Sequence, residues 1–132
     1  MLDLYEAVKN LSIEDQIFIS YIVKEGRTFE NRIIITTLIF FKNYDESVAL
    51  YIEPTDEENT YIISDCHSVT DYWETMYINP DDFKEQISKI GINFEDRCFN
   101  SKIYATNEQD LHSSIWRFIE KLFLLANIEL LK

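Results

Sequence analysis

The sequence predicts an α+β domain: a mostly antiparallel sheet, a three-strand meander plus one or two short strands, packed with N-terminal helices and a long C-terminal helix. Three observations carry this. Between Arg32 and Asp65 lie three stretches rich in β-branched and aromatic residues, separated by short polar breaks. On either side, Met1 to Glu25 and Asn107 to Leu130 carry apolar residues at helical spacing. Finally, 132 residues, 46% of them hydrophobic and 27% charged, with only two Gly and two Pro, make one globular domain over residues 1–132.

Taken in order, Leu4, Tyr5, Val8 and Leu11 mark a short first helix over Met1 to Leu11. Ser12 with Asp15 reads as an N-cap arrangement, and Ile13, Ile17, Tyr21 with Phe18, Ile22 form a stripe ending near Gly26. A second helix is expected over about Ile13 to Glu25. Arg32 to Phe41 is apolar or β-branched at nearly every position, which suits a central strand buried on both faces. After the break Lys42 to Glu46, the run Ser47 to Glu53 puts Val48, Leu50 and Ile52 on one face of a second strand. Pro54 to Asn59 reads as a turn, and Tyr61-Ile62-Ile63 as a third strand. Ser64 to Met76 is the least regular part of the chain. Asn79-Pro80-Asp81-Asp82 then starts a helix, with Asn79 as N-cap and Gly91 as its end. Ile92-Asn93-Phe94 and Cys98 to Ala105 follow as short strands around a turn at Asn100-Ser101, with Ile103-Tyr104-Ala105 returning to the sheet edge. Thr106 with Gln109 fits a capping box for the last helix, over about Asn107 to Leu130. Its apolar face is wide, because Trp116, Phe123, Leu124 and Leu131 extend it, so it docks on the N-terminal helices or forms a dimer contact.

The richest chemistry lies in Asp65, Cys66, His67, Ser68, Thr70 and Asp71. Cys66-His67 with Cys98 and His112 supply the inventory of a zinc site, but adjacent ligands point apart and no C-x-x-C or H-x-x-x-H pair exists. No metal and no cofactor are expected. A thiol nucleophile would pair Cys66 or Cys98 with His67 or His112 and a carboxylate, an arrangement that nothing in the flanking sequence specifies. Asp65 has a structural role open to it, accepting backbone N–H bonds at the strand end. Gly26 and Gly91 cannot build a phosphate loop, and no G-x-S-x-G or H-E-x-x-H occurs. No catalytic residue is assigned and the chain is not expected to be an enzyme.

Charge says more. With 24 acidic and 12 basic residues the net charge is −12, and Glu53 to Asp110 holds 14 acidic against four basic side chains. Such a surface repels nucleic-acid phosphates, whose binding depends on Lys and Arg. The N-terminal helices could be a DNA-reading pair, but the second carries only Lys24 as a basic residue. The same field attracts a basic protein surface. No leader-like segment starts the chain and no run reaches the roughly 18 apolar residues that span a bilayer. The expected location is the cytoplasm, with Cys66 and Cys98 as free thiols and no membrane partner. Nineteen Ile and nine Asn against four Ala suggest an A/T-rich genome.

The succession Ile35-Thr36-Thr37, Asp45, Leu50-Tyr51-Ile52, Tyr61-Ile62-Ile63-Ser64-Asp65, Ile90-Gly91-Ile92 and Lys102-Ile103-Tyr104-Ala105 before a long helix resembles the domain of unknown function 1828 family. The resemblance covers about Arg32 to Leu125. In that family the third strand typically ends in an Asp-Gly turn with a Thr soon after. Here Asp65 is followed by Cys66-His67-Ser68, so Asp65 alone carries over. The resemblance implies no established activity; it implies a bacterial or phage protein in a mobile-element or phage-defence setting.

The function expected is therefore that of an acidic protein-interaction module, an inhibitor that binds a basic nucleic-acid-processing protein in the manner of a phage anti-defence or toxin-immunity protein. Its partner-binding residues would be Asp56, Glu57, Glu58, Asp65, Asp71, Glu74, Asp81 and Asp82. Two other readings stand beside it: a small hydrolase-like or ligand-binding protein using the Asp65-Cys66-His67 loop, and a homodimer joined through the C-terminal helix.

Overall fold

The computed structural model describes residues 2–14, 17–23 and 32–131, with the backbone alone over 11–14 and 17–23. Helix α1 (Leu4–Glu14) opens the chain, its N-terminus capped by Asp3, whose carboxylate accepts the Glu6 N–H at 3.2 Å. Strands β1 (Ile17–Val23), β2 (Arg32–Phe40), β3 (Ser47–Pro54) and β4 (Thr60–Ser64) follow, then helix α2 (Ser68–Thr75), a 3₁₀ turn (Pro80–Phe83) and helix α3 (Lys84–Ile90). Strands β5 (Asn93–Glu95) and β6 (Cys98–Tyr104) precede helix α4 (Glu108–Ala126) and a closing 3₁₀ turn (Ile128–Leu131). Among the described residues the sheet has six strands, in the order β1-β2-β3-β4-β6-β5, all antiparallel. The architecture is α+β, as the sequence predicts, with the expected meander at its centre.

The second helix is corrected to a strand. Ile17-Phe18-Ile19-Ser20-Tyr21-Ile22-Val23 pairs with β2, with a register shift between Ile19 and Tyr21. Residues repeating at i and i+4 also fall at even spacing, so this stripe satisfies a strand equally well. Its β-branched and aromatic content and the edge of β2 decide the outcome. The expected cap at Gly26 lies outside the described residues. The prediction that β2 is buried on both faces is also corrected: Ile33, Ile35 and Thr37 are buried, Arg32, Ile34 and Thr36 are half-exposed, and Leu38 and Phe40 are exposed. Ile33, Ile35, Val48, Leu50, Ile52 and Ile63 join Ala7 and Val8 of α1 and Leu111, Ile115, Phe118 and Leu122 of α4 in one core. That face of the sheet is the covered one.

Further differences follow. The segment read as irregular contains α2, which buries Val69, Thr70, Tyr72 and Trp73; the Trp73 indole N–H donates to the Leu125 carbonyl at 2.9 Å and ties α2 to α4. The β5–β6 turn is Asp96-Arg97, both at positive φ, in place of Asn100-Ser101, which pair with β4 inside β6. Two consecutive left-handed residues are what a two-residue hairpin requires. Strand β6 lies between β4 and β5, but β5 pairs only with Cys98 to Asn100, so Ile103 and Tyr104 pair with β4 alone and stand at the sheet edge, as expected. Helix α4 is capped by Asn107 and not by Thr106: the Asn107 side chain accepts the Asp110 N–H at 2.8 Å. Pro54, expected in the turn, ends β3 opposite Tyr61.

Candidate interaction surface and the Asp65 corner

Strand β4 runs into the core, so the residue that ends it arrives buried. Asp65 is 0% exposed and accepts three backbone N–H groups: His67 at 3.2 Å and Phe99 at 2.9 Å on Oδ1, and Val69 at 3.0 Å on Oδ2. These bonds clamp the strand end to the start of α2 and to β6, and they hold Cys66 and His67 at positive φ. Burial pushes the Asp65 carboxyl up from an ordinary 3.8 to about 6, against the opposing pull of the three N–H groups. The partner-binding assignment of Asp65 is thus corrected: a carboxyl with no exposed area and three internal donors organises the fold and cannot meet a partner. Beside it, the Ser68 hydroxyl donates to the Ala49 carbonyl at 3.2 Å and accepts the Ala49 N–H at 3.3 Å. Those are ladder positions on β3 beyond the last β3–β4 pair, Tyr51 with Ser64.

Of the Cys–His pairings considered from sequence, the structure makes one. Cys98 Sγ lies 3.5 Å from His67 Nδ1. His112 is elsewhere, its Nε2 at 2.7 Å from the Ala7 carbonyl, where it joins α4 to α1. The four zinc-ligand candidates do not converge, and among the described residues no group of three metal-binding side chains is found. Burial, then the charges of Asp65 and Cys98, push the Cys66 thiol to about 12, and burial also raises that of Cys98. A thiol held protonated at neutral pH is a poor nucleophile. Asp65, with its oxygens turned to backbone donors, does not orient the His67 ring.

The other seven assigned residues are exposed. Asp56, Glu57 and Glu58 sit on the β3–β4 turn, Asp71 and Glu74 on α2, and Asp81 and Asp82 on the 3₁₀ turn. They do not form one patch. The β3–β4 turn precedes β4 and α2 follows it, so the two groups are separated by roughly 17 Å of strand. The α2 end gathers more charge, because the β2–β3 turn brings Asp45 and Glu46 there and the β5–β6 turn brings Glu95 and Asp96.

All four basic side chains between Glu53 and Asp110 meet a carboxylate of the same segment. Lys102 pairs with Glu57 at 2.7 Å, Lys84 with Asp81 at 4.0 Å, Lys89 with Glu85 at 3.1 Å, and Arg97 with Glu74. The ten carboxylates in excess stay uncompensated by that segment's own cations.

Aromatic residues accompany the acids at the α2 end, which sequence reasoning missed. Tyr44, read only as part of a polar break, packs edge-on against Tyr72 at 5.3 Å between centroids, and its hydroxyl donates to Glu46 at 3.3 Å. Burial and the charges of Glu46, Asp71 and Asp45 raise its phenol. On the other side of α2, Tyr77 is 97% exposed and Phe94 38%. The interleaving of Phe40, Phe41 and Tyr44 with Asp45 and Glu46 was visible in the sequence; the convergence with α2 was not. Among the described residues no helix is long and apolar enough to cross a membrane. Compared with protein-family models, curated proteins and solved structures, the chain matches none, and the resemblance to the domain of unknown function 1828 family gains no support.

Proposed function

We propose that this chain is a small acidic protein-interaction module that binds the basic surface of a nucleic-acid-processing protein and blocks it, as an anti-defence inhibitor or an immunity protein would. The observation that carries the reading is the pairing of every cation between Glu53 and Asp110 with a carboxylate of that segment. No cation there is left to neutralise Asp71, Asp82, Glu95 and Asp96, and a net negative field speeds capture of a basic partner while disfavouring nucleic acid. The test is affinity capture by the tagged chain with low- and high-salt washes, followed by competition with duplex DNA for the captured protein. One basic nucleic-acid enzyme, released by salt and displaced by DNA, supports the reading. Captured proteins insensitive to both, or none, refute it.

A second reading has its own observation: Leu124 of α4 and Leu130 and Leu131 of the closing 3₁₀ turn are 47%, 81% and 44% exposed. A homodimer would bury them. Light scattering on Leu124→Ala, Leu130→Ala against the unaltered chain tests it, and a monomeric mass for the unaltered chain refutes it.

A further inference from the structure

A cleft of about 360 Å³ lies between α2, the loop that follows it and the β5–β6 hairpin, walled by Trp73, Tyr77, Ile78, Pro80, Phe94 and Arg97 among others. The walls other than Tyr77 are tied to their neighbours. Phe94 stacks on Phe99 at 4.5 Å, Phe99 meets Trp73 edge-on at 5.4 Å, the Thr70 hydroxyl donates to the Arg97 carbonyl at 2.8 Å, and the Arg97 guanidinium donates to Glu74. A cleft formed before binding spends little ordering entropy when occupied. At its mouth stands Tyr77, 97% exposed and at φ 58°. In that conformation Cβ crowds the following carbonyl oxygen, so glycine or asparagine would suit the backbone better. Neither packing nor backbone preference accounts for a tyrosine there. Next to wall residues in sequence stand four exposed carboxylates, Asp81, Asp82, Glu95 and Asp96; Asp81 lies 4.0 Å from Lys84, and the cation of the wall, Arg97, is engaged by Glu74.

We propose that this cleft anchors the partner by taking an apolar protein segment that carries Arg or Lys. The apolar side chain enters against Phe94 and Pro80, Tyr77 closes over it, and the cation lies among the four carboxylates. Tyrosine supplies large contact area with few torsions to freeze, which is why it recurs at binding hot spots. The acidic rim is complementary to a cation and selects against an acidic segment. The proposal rests on the interaction-module reading for its choice of a basic partner and adds the place and chemistry of contact.

The test is selection of a displayed library of random twelve-residue peptides on the full chain. Enriched peptides are then titrated by fluorescence anisotropy against the unaltered chain and three variants: Tyr77→Gly, Asp81→Asn with Asp82→Asn, and Asp56→Asn with Glu58→Gln. The expected peptides place Arg or Lys beside apolar residues. They bind about tenfold more weakly to Tyr77→Gly, more weakly to the Asp81/Asp82 variant, and unchanged to the Asp56/Glu58 variant at the far end of β4. Because glycine relieves the left-handed backbone, Tyr77→Gly melts at or above the temperature of the unaltered chain, and lost binding is not unfolding. Absence of enrichment, enriched peptides without cations, or equal binding to Tyr77→Gly overturns the proposal. Capture of a basic enzyme that is equal for Tyr77→Gly and the unaltered chain overturns the cleft and leaves the module reading standing. Cleft-dependent peptide binding without salt-sensitive capture of such an enzyme does the reverse.

Discussion

Replacing Asp65 by Asn removes a buried charge while keeping the side-chain shape, and its consequences follow from the three bonds the carboxylate accepts. Burial raises the folded-state pKa from 3.8 to about 6. The folded chain therefore binds this proton more tightly than the unfolded chain, and protonation favours folding. The contribution is fully present below about pH 3.8 and is lost as pH rises through about 6. At about 1.36 kcal/mol per pH decade, the loss is about 3 kcal/mol. An Asn side chain stays neutral throughout and can keep its oxygen under the His67 and Phe99 donors, but its amide then faces the Val69 N–H, donor against donor. That mismatch costs about 1–3 kcal/mol at every pH. The unaltered chain should lead the variant at low pH, and its lead should shrink by about 3 kcal/mol between about pH 4 and pH 7, bringing the two to similar stability or inverting their order.

Urea unfolding followed by Trp73 and Trp116 fluorescence at steps across that range measures both chains, and subtracting the variant cancels the other carboxylates. A difference independent of pH refutes the reasoning. So does a lead that grows with pH, because the three N–H bonds would then outweigh desolvation and hold the carboxyl below its ordinary value.

Three other outcomes are expected. Cys66, at about 12 in place of 9.0, should be alkylated by iodoacetamide about 1000-fold more slowly in the folded chain than in urea; equal rates by mass spectrometry would contradict the raised thiol. Ser68→Ala should cost about 1 kcal/mol and speed amide exchange at Ala49 while leaving Ile52, paired with Ile33, protected. Trp73→Phe should cost about 2–4 kcal/mol, because it removes the indole N–H from the Leu125 carbonyl and opens space in the core, whereas Trp116→Phe, half-exposed, should stay within about 0.5 kcal/mol, both read from urea midpoints.

What the sequence made legible followed from local chemistry. The period-two run at Val48, Leu50 and Ile52 and the Asn79-Pro80 helix start depend on neighbours a few residues away, and both stand in the structure. Ile17 to Val23 misled because its spacing fits two periods, and only pairing with β2, more than ten residues on, selects the strand. Helix α2 was hidden for a related reason. Its eight residues follow Cys66 and His67, both in the left-handed region, and His67 gives no side-chain N-cap, so the usual start signals are missing. Its start is set instead by Asp65, whose carboxylate accepts the Val69 N–H, and Asp65 is held in turn by Phe99 on β6. A contact between positions 65 and 99 cannot be inferred from either stretch alone.

The same non-local logic changes what the acidic residues mean. As a string, Asp56 to Asp82 reads as one charged tract, but folding sends its two halves to opposite ends of β4. At the β3–β4 tip Glu57 is engaged by Lys102, and the remaining acids stand on the turn before Thr60, whose ladder partner is the exposed Tyr104. At the α2 end the acids stand beside Tyr44 on one side and Tyr77 with Phe94 on the other. Long-range charge sets how fast a basic partner arrives; buried aromatic contact sets how long it stays. If both ends act, charge reversal at Asp56 and Glu58 should lower the association rate and its salt dependence with little change in dissociation, whereas Tyr77→Gly should raise the dissociation rate at constant association. A partner whose dissociation rate responded to Asp56 and Glu58 would place the contact at the hairpin tip.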